Sequence, residues 1–463
     1  MKISDLNFFR KNKIHVHEID NKSRDKNILK QISSSILLKV ASFGISLFLV
    51  PILLGKLGLE RYGVWAILIS LMQWIALMDI GIGNGLRNRL TISLAQNKLI
   101  DAKEYVSTAY FTMIGLGVLL LIVLFPFLFF VEWSSFFNSK NISNAELRKT
   151  VFVFTFSIII YFVLSLINQV VNAIQRSALN SIIPLLSSAI FLGSLIFFFP
   201  INGVSLFSTT LIYSLSLVFV NLVFSIFFFT EYSFLRPNFS FFRKVKIKSI
   251  MNLGIKFFII QITVVIIYST DNIIITQMLG PKFVTVYSIP YIIFNNIAML
   301  VSLITMPLFS SYTEAYIKND YEWIRKKILL LTKLMIPFVL GVLLVIYLFS
   351  DLLKLWLKTS IDVPKSLPVI MGFYSILIVW NSIFSTVLGA ISKINLGMYI
   401  TVFQGILNIP LSIFLASNLG MGLNGIVLSN IICLGISALI SPIQVYYFIF
   451  SNKLNKKWEK YLS

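Results

Sequence analysis

Eight charged side chains stand inside or beside apolar sequence: Lys39, Asp79, Arg87, Arg89, Arg176, Lys256, Asp271 and Lys393. The lysines and arginines are suited to charge-assisted hydrogen bonds with an anion, the arginines as planar forks and the lysines as point charges. The two carboxylates could relay a proton, coordinate Na⁺, or neutralise the cations. The stretch "MDIGIGNGLRNRL" (78–90) holds three of the eight. Asp79 precedes Arg87 by eight residues, roughly 12 Å along a helix, so arginines at a membrane boundary would put the acid deep in the hydrocarbon. An acid at that depth costs about 2.5–3.5 kcal/mol and should face a wet cavity or a partner. Lys39 lies roughly 13 Å beyond Lys30 by the same rise. Asp271 sits among Ser269, Thr270 and Asn272 in "YSTDNIIITQ". Blander readings stand beside these. Lys256 and Lys333 can snorkel to an interface, and Arg87, Arg89, Arg176 and Lys393 can serve as topology markers.

Other chemistries find little support in these residues. The glycines of "GIGNG" follow an apolar run rather than a strand, and their spacing is not that of a dinucleotide fingerprint; close helix packing or a bend explains them better. His15 and His17, the whole histidine complement, lie in a charged tail, and the single Cys433 excludes an intramolecular disulfide. There is no Walker sequence for an ATP-driven pump, and no carboxylate cluster or sizeable loop for a membrane enzyme acting on a polyprenyl substrate. We expect a non-enzyme without a cofactor.

The elements that must position these charges are membrane helices. The chain has 463 residues, 57% hydrophobic and 12% charged, with a mean hydropathy of +0.88; soluble domains carry about 25% charged residues. The apolar runs are continuous and about twenty residues long, which calls for helices rather than a β-barrel. Spans are expected near 28–54, 62–85, 106–130, 150–172, 181–199 and 204–229, then 250–279, 284–309, 329–349, 366–390, 396–416 and 423–449. The expected organisation is a polar tail (1–27), a six-helix bundle (28–229), a linker (230–249), a second bundle (250–449) and a tail (450–463). The tail 1–27 lacks the apolar core of a cleavable signal. The net charge of +21 comes largely from the tails, "RPNFSFFRKVKIKS" (236–249) and "RKK" (325–327). By the positive-inside rule both termini are cytoplasmic, and membrane orientation accounts for the basic excess without nucleic acid.

Three short matches recur in order. "LLGKLGLERYGVW" (53–65) matches "MLGPKFVTVYSIP" (278–290), pairing Gly55 with Gly280 and Tyr62 with Tyr287. "NAIQR" (172–176) matches "GAISK" (389–393), pairing Arg176 with Lys393, and "INGVSL" (201–206) matches "LNGIVL" (423–428). The offsets of 225, 217 and 222 favour duplication of a six-span unit. An even number of spans makes the repeat parallel, with a pseudo-twofold axis along the membrane normal and a central cavity.

"LLGKLGLERYGVWAIL" followed by "MDIGIGNGLRNRL" closely resembles the start of bacterial O-antigen flippases, within the multidrug/oligosaccharidyl-lipid/polysaccharide exporter superfamily. "MLGPKFVTVYSIPYII" and "NAIQR" extend the likeness over nearly the whole chain. The resemblance implies a V-shaped pair of six-helix bundles in the bacterial inner membrane. Its implied cargo is undecaprenyl-diphosphate-linked oligosaccharide, moved from the cytoplasmic to the periplasmic leaflet by alternating access, with polysaccharide polymerase machinery as a partner. Lys39, Arg176, Lys393 and Lys256 would then meet the diphosphate, Arg87 and Arg89 would guard the cytoplasmic mouth, and Asp79 and Asp271 would either couple H⁺ or Na⁺ or neutralise the cations. The rival reading is an ion-coupled multidrug-type antiporter of the same superfamily, for which a net acidic cavity would be expected.

Overall fold

A computed structural model describes residues 21–77, 81–174, 176–197, 204–251, 270–357, 361–391 and 393–451. Among the described residues the regular structure is helical, and nine helices are long and apolar enough to cross a membrane. The chain divides into two compact units. The first comprises residues 1–49, 72–133 and 142–259; the second comprises 50–71, 134–141 and 260–463.

In chain order the helices are α1 (Asn21–Leu77), α2 (Ile82–Ala95), α3 (Leu99–Phe130), α4 (Asn144–Leu164), α5 (Leu166–Ala173), α6 (Ser177–Phe197) and α7 (Leu206–Glu231). Then come α8 (Asp271–Leu279), α9 (Pro281–Ile317), α10 (Tyr321–Tyr347), α11 (Phe349–Leu357), α12 (Ser366–Ala390), α13 (Asn395–Ile413) and α14 (Leu423–Val445). α1 runs through two expected spans, and Gly58 (φ 71°, ψ 175°) is the break between them. The expected seventh span falls largely on 252–269, outside the described residues.

The sequence forms these helices through long apolar runs with polar caps. The Ser143 side chain accepts from Glu146 N at 3.2 Å, Ser205 from Ser208 N at 3.1 Å, and Asp320 from Trp323 N at 3.1 Å. Each cap supplies a partner to a backbone N–H that the helix start leaves unpaired. The packing inverts the pattern of a soluble protein. α7 buries Thr209, Thr210, Ser214, Ser216, Asn221 and Ser225, while Leu215, Phe219, Leu222 and Phe227 are exposed. Small residues let helices approach closely where lipid covers the apolar side. Their hydroxyls are satisfied within the helix, as Thr210 donates to Leu206 O at 2.8 Å and Ser225 to Asn221 O at 2.7 Å.

Each unit has its own core. In the first, α2 and α3 pack with α5 around Leu86, Leu90, Val106, Met113, Ile167 and Val170. In the second, α9, α10 and α12 pack around Tyr312, Ile324, Ile328, Ile383 and Val387, with Phe448 completing the cluster. Residues 50–71 also take part in the second unit, where Thr285 Oγ1 donates to Leu59 O at 2.6 Å. There Glu60 accepts from Ser139 Oγ at 2.6 Å and from the Lys140 and Asn141 backbones at 3.0 and 3.2 Å.

Local geometry recurs along the chain. Gly58 and Gly280 share a positive φ (71° and 98°) with extended ψ (175° and 164°). Only glycine adopts that region readily. Gly280 lies 222 residues after Gly58 and 225 after Gly55, and it is Gly58 that shares its conformation. Asn97 and Asn319, also 222 apart, are both left-handed (φ 55° and 57°). Thr91 Oγ1 bonds to Arg87 O at 2.8 Å and to Ala173 O at 3.3 Å; Thr313 Oγ1 bonds to Phe309 O at 3.1 Å and to Ala390 O at 3.0 Å.

Candidate functional site

Asp271 is the centre of the best-formed polar site. It opens α8 and is 3% exposed. Its Oδ2 accepts from the Tyr287 hydroxyl on α9 and from Asn430 Nδ2 on α14 at 2.6 Å. Asn430 Oδ1 in turn accepts from Asn408 Nδ2 on α13 at 2.6 Å. One turn on along α13, the hydroxyl of Ser412 bonds to that of Ser429, the neighbour of Asn430 on α14. Further along, Gln404 Nε2 donates to Cys433 O at 2.7 Å and to Ser437 Oγ at 2.5 Å. Four helices thus meet through side-chain amides, hydroxyls and one carboxylate.

Hydrogen bonds to a charged group contribute about 1.5–3 kcal/mol each, enough for two to offset the cost of holding an acid in the membrane. They use only one oxygen. Asp271 Oδ1 and Asn408 Oδ1 are buried with no hydrogen-bond partner among the described residues. Buried polar atoms are normally paired, and unpaired oxygens of this kind suit a proton or a hard cation. Among the described residues no three His, Cys, Asp or Glu side chains group as a metal centre.

The remaining sequence candidates fall in different places. Asp79 and Lys256 lie outside the described residues, as does the side chain of Lys39 on α1. Arg87 is exposed on α2. Arg89 is half-buried, and its Nε donates to Ser249 O at 3.2 Å. Arg176 is exposed and pairs with Glu231 at 3.2 Å while lying 5.6 Å from the Tyr232 ring centre. Lys393 is half-buried, with Nζ 5.2 Å from the Phe448 ring centre. The Thr91–Ala173 bond brings α2, with Arg87 and Arg89, beside the end of α5, just before Arg176. The glycines of "GIGNG" have backbone duties. Gly81 is left-handed (φ 76°) ahead of α2, and a Cβ on Gly85 would collide with the Ile250 carbonyl.

Sequence reading missed a second charged cluster. Lys246 pairs with Asp101 and with Glu104 at 3.1 Å, and Arg243 pairs with Glu104 at 3.2 Å. Lys246 Nζ also lies 3.9 Å from the Tyr105 ring centre. The acids of "DAKEY" (101–105) and the cations of "RKVKIK" (243–248) were visible, but nothing in their spacing joins them. Tyr287, Asn408 and Asn430 were visible too, as polar residues inside apolar runs.

These features define a multi-pass, all-helical membrane protein with a buried polar centre in one unit. Its fold is that of the multidrug transporters. An inward-facing multidrug resistance MATE family transporter of the MOP superfamily is similar over 88% of this chain and 96% of that one, with a TM-score of 0.72 and 16% identity. An outward-facing structure of such a transporter gives 0.61 over 90% and 95%, again at 16% identity. The chain belongs to the polysaccharide biosynthesis protein family, whose model matches residues 28–313. A candidate O-antigen export protein of Yersinia pseudotuberculosis is 25% identical over 83% of this chain and 88% of its own length. A candidate O-antigen transporter of Salmonella typhimurium is 23% identical over 91% and 96%.

Proposed function

We propose that this protein is a flippase. It carries a polyprenyl-diphosphate-linked oligosaccharide, an O-antigen or related surface polysaccharide unit, from the cytoplasmic to the periplasmic leaflet of the bacterial inner membrane by alternating access. The family match, with end-to-end similarity to proteins named for O-antigen export and transport, carries this reading. The cations in or beside the expected spans support it, because the cargo is an anionic diphosphate. In this reading twelve spans leave both termini cytoplasmic, and the protein works as a transporter alongside the polymerase machinery rather than as an enzyme. Lys39, Arg176, Lys256 and Lys393 meet the diphosphate, and Arg87 and Arg89 stand where it enters. Asp79 and Asp271 serve ion coupling, with H⁺ or Na⁺ taken up at the free oxygen of Asp271.

The test is reconstitution of the purified protein in vesicles holding a polyprenyl-diphosphate oligosaccharide in the inner leaflet. The sugar should become accessible to an external glycosidase faster than in protein-free vesicles. No acceleration, together with gradient-driven uptake of cationic dyes, would favour the multidrug-type antiporter instead.

A further inference from the structure

We infer that the first unit carries a binding site for a phosphoryl anion, filled by the headgroup of an acidic phospholipid, in the cleft between the start of α3 and the end of α7. The cleft has a volume of about 300 Å³ and is lined by Lys103, Ser233, Arg236, Pro237 and Asn238. Two cations, a hydroxyl and an amide are the donors that phosphate oxygens take, and no carboxylate lines it.

The acids nearest these two cations are paired with other side chains. Glu104 is occupied by Arg243 and Lys246, Asp101 by Lys246, and Glu231 by Arg176. Among the described residues Lys103 and Arg236 enter no ion pair. Lys103 Nζ is held 4.6 Å from the Phe241 ring centre, and Arg236 is exposed.

The cleft wall is fixed by folding. After α7 ends at Glu231, the chain makes two short 3₁₀ turns, Ser233–Leu235 and Phe239–Phe241, with Leu235 fully buried. Asn238 N donates to Ser107 Oγ at 3.1 Å and Arg243 N to Thr108 Oγ1 at 3.0 Å. The Asn238 side chain accepts from Ser240 N at 2.9 Å. Both hydroxyls belong to buried residues of α3, so the linker is fastened on either side of the aromatic turn.

Position decides the source of the anion. Lys103 is in the first turns of one membrane helix, and Arg236 is five residues past the end of another. Phe239 and Val245 are 71% and 85% exposed on the same linker, an apolar edge suited to the headgroup boundary. Basic pockets beside membrane helices bind anionic headgroups, with about 1 kcal/mol for each Lys or Arg.

Native mass spectrometry of the full chain titrated with phosphatidylglycerol tests the site. Wild type should retain about thirtyfold more phosphatidylglycerol than Lys103→Gln/Arg236→Gln, with equal retention of phosphatidylcholine. Arg236→Gln alone, an exposed substitution, should show part of the loss if the double variant folds poorly. The Lys140→Gln control should match wild type. Equal phosphatidylglycerol retention by wild type and both variants would overturn the site. Displacement of the lipid by an equimolar concentration of inorganic phosphate would overturn the lipid as its source. Either result leaves the translocation reading to its own assay.

Discussion

The two halves of the chain share local geometry at a few positions and differ in what they bury. Thr91 ties α2 to the Ala173 carbonyl at the end of α5, and Thr313 ties α9 to the Ala390 carbonyl at the end of α12. Arg176 lies over Tyr232, and Lys393 over Phe448. Counting back nine residues from Gly280 reaches Asp271, whereas counting back nine from Gly58 reaches Leu49. The N-terminal half is apolar where the C-terminal half holds a carboxylate. The C-terminal half surrounds that carboxylate with Tyr287, Asn430 and Asn408; the N-terminal half instead concentrates its charge where α3 meets the linker, through Asp101, Glu104, Arg243 and Lys246. On the duplication proposed from the sequence, such departures mark where the halves serve different ends.

The largest expected effect comes from stripping the carboxylate of its support. Asn430→Leu removes a donor from Asp271 and the acceptor of Asn408. It should destabilise the protein by about 3 kcal/mol or more, seen as a lower unfolding temperature in detergent. An unchanged temperature would show that the network is not what holds the acid.

The glycine pair sharpens the comparison next. Gly58→Ala and Gly280→Ala should each cost about 1–3 kcal/mol, because the strain is conformational; a Cβ on Gly58 meets nothing within 4 Å. Gly55→Ala sits in open space within helix and should be neutral or slightly stabilising. A large loss at Gly55 with none at Gly58 would favour the offset of 225. The smallest effect belongs to the threonines. Thr91→Val and Thr313→Val should each cost about 0.6 kcal/mol, a usual value for one interhelical bond in a membrane protein. Strongly unequal losses would break the equivalence.

The fold class was legible in the sequence because apolar runs of membrane length leave the backbone only one solution. Three short matches suggest a repeat at offsets of 225, 217 and 222, but letters alone do not say which glycine shares the conformation of Gly280. Glycine letters at 55 and 58 look alike, and only φ separates them. Asp271 was legible as a costly acid. Its partners were not: they lie 16 and 159 residues away, and no spacing rule joins positions brought together by helix packing. The partner of Arg176, Glu231, lies 55 residues on. Arg89 likewise has a carbonyl partner 160 residues distant.

The central proposal is that Asp271, buried in the C-terminal half, is an ion-coupling group. Asp271→Asn keeps the size of the side chain and an oxygen for Tyr287 and Asn430, but removes the charge that a cation would balance. Translocation of lipid-linked oligosaccharide in vesicles, with and without an imposed H⁺ or Na⁺ gradient, tests this most directly. Wild type should run faster with one of the two gradients, and Asp271→Asn should run at the gradient-free rate under both, at equal protein abundance. Full gradient-driven acceleration in Asp271→Asn would contradict the account.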